Sequence, residues 1–225
     1  TYGRIENLLH SVPQSLSFVL VNALYFKFDW QAAFDLPTVD AAWTKDDGSS
    51  ATVPMMETLH ERSRGKRTAD AVVAKLPYND ARLSFVAMRP TTGSLASFEQ
   101  SLAPERLNAL IAAAQEPVRV RMPRFTMTHE FDLLESLKSM GLVQVGDYGA
   151  AGGTRLDQVR HKVFIAVAEK GTEAAAATAV VADDDGAEGP DSELLTFDRP
   201  FLFFILDEPT NTVLFMGRVM EPKQP

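Results

Sequence analysis

The 225-residue chain has no cysteine, only four histidines and only two tryptophans. The missing thiols exclude disulfides, iron–sulfur clusters and thiol catalysis, and leave the compartment open. His10, His60, His129 and His161 stand far apart, without HExxH or paired-histidine spacing. A zinc site would therefore need distant carboxylates, and no metal is assigned. Positive charge is scarce too: 22 Lys and Arg against 30 Asp and Glu give a net charge of −8 and a pI near 5.0. That balance argues against nucleic acid or an anionic membrane as partner. The longest apolar run, residues 16–26, is broken by Ser17 and Asn22 and is too short to cross a bilayer. No signal peptide is visible, and a start at Thr1 leaves room for a leader or a larger N-terminal region upstream.

Catalytic signatures are missing as well. There is no GxSxG elbow, Walker loop or GxGxxG, so the common hydrolase and nucleotide motifs fail and no cofactor is assigned. Asp183-Asp184-Asp185-Gly186 invites a calcium reading, but an EF-hand register would put Val181 at position one and Ser192 at position twelve. The stretch reads as a solvated acidic loop. Arg62, Arg64, Lys66 and Arg67 form a small basic cluster, read as a solvated turn.

What is present is an ordinary globular composition, 45% hydrophobic and 23% charged, in one large domain or two small ones. Residues 1–10 have the spacing of a short amphipathic helix. Residues 17–26 are apolar on both faces, which predicts a strand buried on two sides. A turn is expected at 46–49, and two strands at 72–76 and 83–88 flank Pro77-Tyr78-Asn79-Asp80. Leu107, Leu110, Ile111 and Ala114 fall at helical spacing after Pro104, which suits a first turn. Val118, Val120 and Met122 alternate with Arg119 and Arg121, a half-exposed strand over 118–127. Leu133 to Met140 predicts a helix with Gly141 at its C-terminal cap. Strands at 159–168, 201–206 and 212–219 complete a mixed α+β pattern with long antiparallel strands, and no internal repeat is seen.

One segment fits none of these elements. EKGTEAAAAT, residues 169–178, precedes a polar acidic tail and then a strongly apolar run. Alanine favours helix. Read with period two, however, Thr172, Ala174, Ala176 and Thr178 share one face, and each is small enough to slide between existing strands without displacing a packed core.

That segment resembles the reactive-loop hinge of the serpins, the suicide-substrate protease inhibitors. LVNALYFKFDW (20–30), PMM (54–56), LPY (76–78), MPRF (122–125), the leucine helix ending in Met140-Gly141, DRPFLFFI (198–205) and LFMGRV (214–219) follow in family order. The resemblance spans essentially the whole chain. It implies the serpin fold, α+β with a large, mainly antiparallel sheet, smaller sheets and surrounding helices. It corresponds to roughly the C-terminal three-fifths of that fold, as one serpin domain over 1–225 with a reactive loop at about 169–196. The family's N-terminal helical part has no counterpart here, so a further segment of the same protein is an expected partner.

By the same resemblance the protein is not an enzyme; it inhibits a serine-type endopeptidase through a covalent acyl complex. The hinge comprises Glu169, Gly171, Thr172, Glu173, Ala174, Ala175, Ala176, Ala177 and Thr178, with Gly171 as a pivot of free φ. Family spacing places the scissile bond near Asp185–Gly186, with any bond from Ala182 to Glu188 open. An acidic residue before the cut points to an Asp/Glu-specific protease, whereas cleavage after Val181 or Ala182 points to an elastase- or subtilisin-like target. Asn22 and His161 match the family's shutter, which controls opening of the sheet. Trp30, Arg124 and Glu169 match the breach, where insertion begins, with Glu169 expected to pair with Arg124. Phe28 stands where the family usually has glycine, which leaves the turn after the strand open. The alternative is a serpin-fold fragment or binding module without inhibition.

Overall fold

The computed structural model describes residues 5, 18–59, 63–142, 155–172 and 192–223. In chain order the described elements begin with β1 (Val19–Tyr25), β2 (Phe28–Asp29), β3 (Val39–Thr44), β4 (Ser50–Glu57), β5 (Ser63–Arg67), β6 (Ala71–Pro77) and β7 (Leu83–Pro90). Helices α1 (Leu95–Gln100) and α2 (Pro104–Ala113) follow, then β8 (Glu116–Pro123), β9 (Phe125–Asp132) and α3 (Leu134–Ser139). The chain closes with β10 (Gln158–Ala168), β11 (Gly171–Thr172), β12 (Leu194–Thr196), β13 (Phe201–Asp207) and β14 (Thr212–Val219). Strands dominate and helices are few, the expected α+β class. The helix expected over 1–10 lies outside the described residues, apart from Ile5.

These elements divide into two compact units, Thr1–Phe26 with Thr126–Ile165, and Lys27–Phe125 with Ala166–Pro225. The second unit is built on a sheet of order β14-β13-β7-β6-β5-β8-β4-β3, with β12 parallel beside β8. Its central strands are apolar on both faces, and every residue of LSFVAMRP (β7) and FLFFILD (β13) is buried. One face packs Val73, Val86, Met88, Leu202 and Phe204 against Leu95 and Phe98 of α1 and Leu110 and Ile111 of α2. The opposite face is aromatic. Phe85 stacks on Phe203 at 5.4 Å and 7°, and Phe125 meets Phe201 edge-on at 6.1 Å.

Local chemistry sets the connections. Gly48, at φ +82°, closes the turn between β3 and β4, where Asp47 Oδ1 accepts from the Ser49 amide at 2.8 Å. Pro104 opens α2 where a missing N–H costs nothing. Ser94 caps α1, whose six residues are too few to show a helical period in the sequence.

The first unit pairs β1 with β10 in parallel, from Val19 opposite Gln158 to Tyr25 opposite Phe164, and β9 also pairs with β10. Leu134 of α3, Leu156 and Val159 form a small core with Phe18, Leu133, Leu137 and Leu142 around it. Arg160 reaches Asp132 at 3.7 Å and Glu130 at 3.9 Å.

Three expectations are corrected. Strand β1 is not buried on two sides: Leu20, Val21 and Leu24 are 48%, 36% and 36% exposed. Among the described residues its ladder partner is β10 alone, and Val19, Ala23 and Tyr25 are only half-buried. The basic cluster is not a turn. Arg64, Lys66 and Arg67 lie on β5, where Gly65 faces Leu195 and Val118 so closely that a Cβ would stand 2.5 Å and 2.8 Å from them. Charged residues alternating with small ones hid this strand, and Lys66 pairs with Glu116 and Arg67 with Glu193 at 2.5 Å. Arg62 lies outside the described residues. The strand expected over 118–127 is two strands, broken at Arg124 just after Pro123, which cannot donate to a ladder. Within β8 the alternation holds: Val118, Val120 and Met122 are buried.

Candidate functional site

The residues read as hinge and breach converge in the second unit. Strand β10 ends at Ala168, and the chain doubles back through Glu169 and Lys170 into the two-residue strand β11. Val167 then faces Thr172 and Ala168 faces Gly171. Two-residue hairpin loops normally need left-handed φ values, but neither Glu169 nor Lys170 has one. The turn is held from outside instead: the Phe34 amide donates to the Glu169 carbonyl at 2.8 Å, and the Trp30 amide to the Lys170 carbonyl at 2.9 Å.

On its other edge β11 pairs antiparallel with β2, Gly171 opposite Asp29 and Thr172 opposite Phe28. The first residues of the hinge therefore already form a middle strand. The seated position of Gly171 makes no use of free φ. Its φ lies outside the left-handed region, and the glycine is required for space: a Cβ would overlap the Phe28 carbonyl oxygen and stand 2.6 Å from Asp29 Cα. Thr172 is fully buried, and its Oγ1 lies 2.7 Å from the Tyr78 phenol oxygen.

Aromatic side chains floor this corner. Trp30 is 3% exposed, donates from Nε1 to the Ala168 carbonyl at 2.8 Å, and stacks on Tyr78 at 4.6 Å and 14°. Phe34 and Phe85 meet the indole edge-on at 6.2 Å and 5.7 Å. Burial raises the Tyr78 phenol well above its ordinary pKa, against a smaller opposing pull from its bond to Thr172. Glu169 Oε1 accepts from Thr38 Oγ1 at 2.6 Å and stands 3.6 Å from Arg124 Nη1. Phe28 lies in a strand, not a turn, with its ring 6.1 Å from Tyr78.

Asn22 and His161 belong to the first unit, where they are directly opposed in the parallel register of β1 and β10. Phe131 stacks at 6.4 Å on His161 and at 5.9 Å on His129. Glu173, Ala174, Ala175, Ala176, Ala177, Thr178, Asp185 and Gly186 lie outside the described residues. Tyr78, Thr38 and Phe34 were not singled out from the sequence as site residues. Tyr78 and Thr172 are 94 residues apart, and in the sequence that tyrosine stands out only as part of the LPY motif and of the turn at 77–80.

The start of the loop thus sits as a two-residue middle strand between β10 and β2, in a chain of mixed sheets with few helices. The chain belongs to the serpin family, whose model, described as Serpin (serine protease inhibitor), matches residues 1–222. It is 34% identical over 99% of its length to an uncharacterised serpin-like protein of Thermococcus kodakarensis, of which it spans 54%. It is also 34% identical to the leukocyte elastase inhibitor of Bos taurus, covering 99% of this chain and 63% of that protein. Among solved structures, the thermophilic serpin tengpin in its native state superposes with a TM-score of 0.81 at 26% identity, over 98% of this chain and 60% of tengpin. The chain thus spans little more than half the length of the relatives it matches.

Proposed function

We propose that the protein carrying this chain inhibits a serine-type endopeptidase as a suicide substrate, being itself cut and not catalytic. The supporting observation is the position of Gly171 and Thr172, hydrogen-bonded between β10 and β2 as the first rung of an added strand. The attacking serine would form an acyl bond to the residue before the cut. The released hinge, Glu173 to Thr178, would then continue antiparallel from Thr172. To do so it must part β1 from β10, now joined over seven registered pairs at whose centre Asn22 and His161 stand opposed.

One ladder is lost and two are gained. A strand of about ten residues bonded on both sides would add on the order of 10–20 kcal/mol at ~1 kcal/mol per bond, opposed by the cost of ordering the loop. Glu169, held by Thr38 and near Arg124, anchors the fixed end of the hinge. The bond we assign is Asp185–Gly186, which directs the inhibitor to a protease preferring Asp or Glu before the cut.

The test is a covalent-complex assay on the full-length protein, with an Asp/Glu-specific and an elastase-like protease, followed by mass spectrometry of the released fragment. A complex that survives denaturant, with Asp185 at the new C-terminus of the N-terminal piece, is the expected result. Cleavage with free turnover by both proteases would show a substrate and not an inhibitor.

A further inference from the structure

We infer that Tyr78 is a positioning residue for the hinge: through Thr172 it holds Gly171–Thr172 in the sheet before any bond is cut, so that strand addition begins at Glu173. This deepens the inhibitor reading and rests on it for its consequence, though not for its measurement.

The argument starts from length. Two residues make too short a strand to hold itself, since a strand gains from many ladder bonds and cross-strand contacts and β11 has few of either. Something beyond the ladder must keep it seated. Gly171 offers no side chain, so Thr172 is the one residue of β11 that can be gripped. Its side chain is fully buried, and a buried hydroxyl is tolerated only when hydrogen-bonded. The Tyr78 phenol oxygen, 2.7 Å away, is its partner.

Tyr78 is itself firmly placed. Its amide donates to the Leu83 carbonyl at 3.0 Å, its backbone bridges to Trp30, and its ring lies flat on the Trp30 indole. Trp30 in turn bonds the Ala168 carbonyl, in the residue directly before the turn that leads into β11. The grip on Thr172 is thus fixed to the wide sheet, and not to the segment that must move. Phe28 stands opposite Thr172, with its ring 6.1 Å from that of Tyr78. That places the phenylalanine at an expected glycine position against the latch. Burial keeps the phenol protonated, so the contact persists at neutral and moderately alkaline pH.

The latch is tested by amide hydrogen exchange on the full-length protein, read at residues 169–172 and, as an internal reference, in β7 and β13. Tyr78→Phe keeps the ring and its stacking and deletes only the hydroxyl; Thr172→Val removes the other hydroxyl at similar volume. Each is expected to speed exchange at 171 and 172 roughly tenfold, the effect of losing one buried hydrogen bond. The double variant should add little more, Thr172→Ser should restore protection, and β7 and β13 should not change. Unchanged exchange at 171–172 in Tyr78→Phe overturns the inference. So does equal acceleration in β7 and β13, which would make Tyr78 ordinary core, and so does simple additivity in the double variant. No protease enters this measurement. A latched protein that traps no protease refutes the inhibitor reading alone, whereas a trapping protein without the latch refutes this inference alone.

Discussion

Gly171→Ala separates two roles a hinge glycine can have. A pivot of free φ would tolerate alanine in the seated state and resent it only when the chain swings. Here the seated φ is one that alanine adopts readily, so no backbone strain opposes the change. Limiting the freedom of the unfolded chain would even favour it by about 0.4–1 kcal/mol. Against this stands the added methyl, which would meet the Phe28 carbonyl oxygen, the Phe28 carbonyl carbon at 3.0 Å and Asp29 Cα at 2.6 Å. All three are backbone atoms of β2 and cannot rotate away. Overpacking of this kind costs typically 1–3 kcal/mol. The clash therefore wins by about 1–2 kcal/mol, and the hinge should leave its slot in about ten times more molecules. Hydrogen exchange over residues 169–172 measures that directly. Gly48→Ala serves as the reverse control, because its φ of +82° is strained for alanine while nothing lies within 4 Å. It should weaken the β3–β4 turn and leave the hinge untouched. If Gly171→Ala exchanges like the unaltered protein at 169–172, close approach is not why glycine stands there.

Further outcomes follow from the same geometry. Thr172→Arg puts a charge into a fully buried position, at a cost of several kcal/mol. In the full-length protein the denaturant-resistant complex should give way to cleaved product on a gel. Trp30→Phe deletes the 2.8 Å bond to the Ala168 carbonyl and part of the stack on Tyr78, and should lower stability by about 2–3 kcal/mol in a denaturant titration. Asp207, held down to about 2 by Arg82 at 2.7 Å and then by Thr210, has a folded pKa below the ordinary 3.8. Its stabilisation is present above about pH 4 and is lost as pH falls toward 2. The melting temperature of Asp207→Asn should accordingly depend less on pH across that interval than that of the unaltered protein.

Much of the fold was legible in single stretches. Apolar runs such as FLFFILD and LSFVAMRP, punctuated by Asp46-Asp47-Gly48-Ser49 and Pro77-Tyr78-Asn79-Asp80, placed the long strands and their turns, because alternation and turn chemistry are local. Helix α2 was readable from Pro104 and a four-residue apolar spacing, and the cap of α3 from Gly141. The strand β5 was not, because SRGKR carries no apolar residue to report a buried face. Its burial comes from Gly65 meeting Leu195 and Val118, which are remote in the chain.

The candidate site divides in the same way. Composition and spacing alone marked 169–178 as a segment rich in small residues, open to helix or strand, and order along the chain tied it to its family. Only the tertiary structure decided that Gly171 and Thr172 already sit between β10 and β2. It alone showed that the seated Gly171 leaves no room for a Cβ, and that the Tyr78 phenol meets Thr172 from 94 residues away. It also decided that Leu20, Val21 and Leu24 of β1 are exposed. Side-chain size and period are properties of neighbours in sequence. Which backbone presses on a glycine, and which hydroxyl meets a buried threonine, depends on strands brought together by folding.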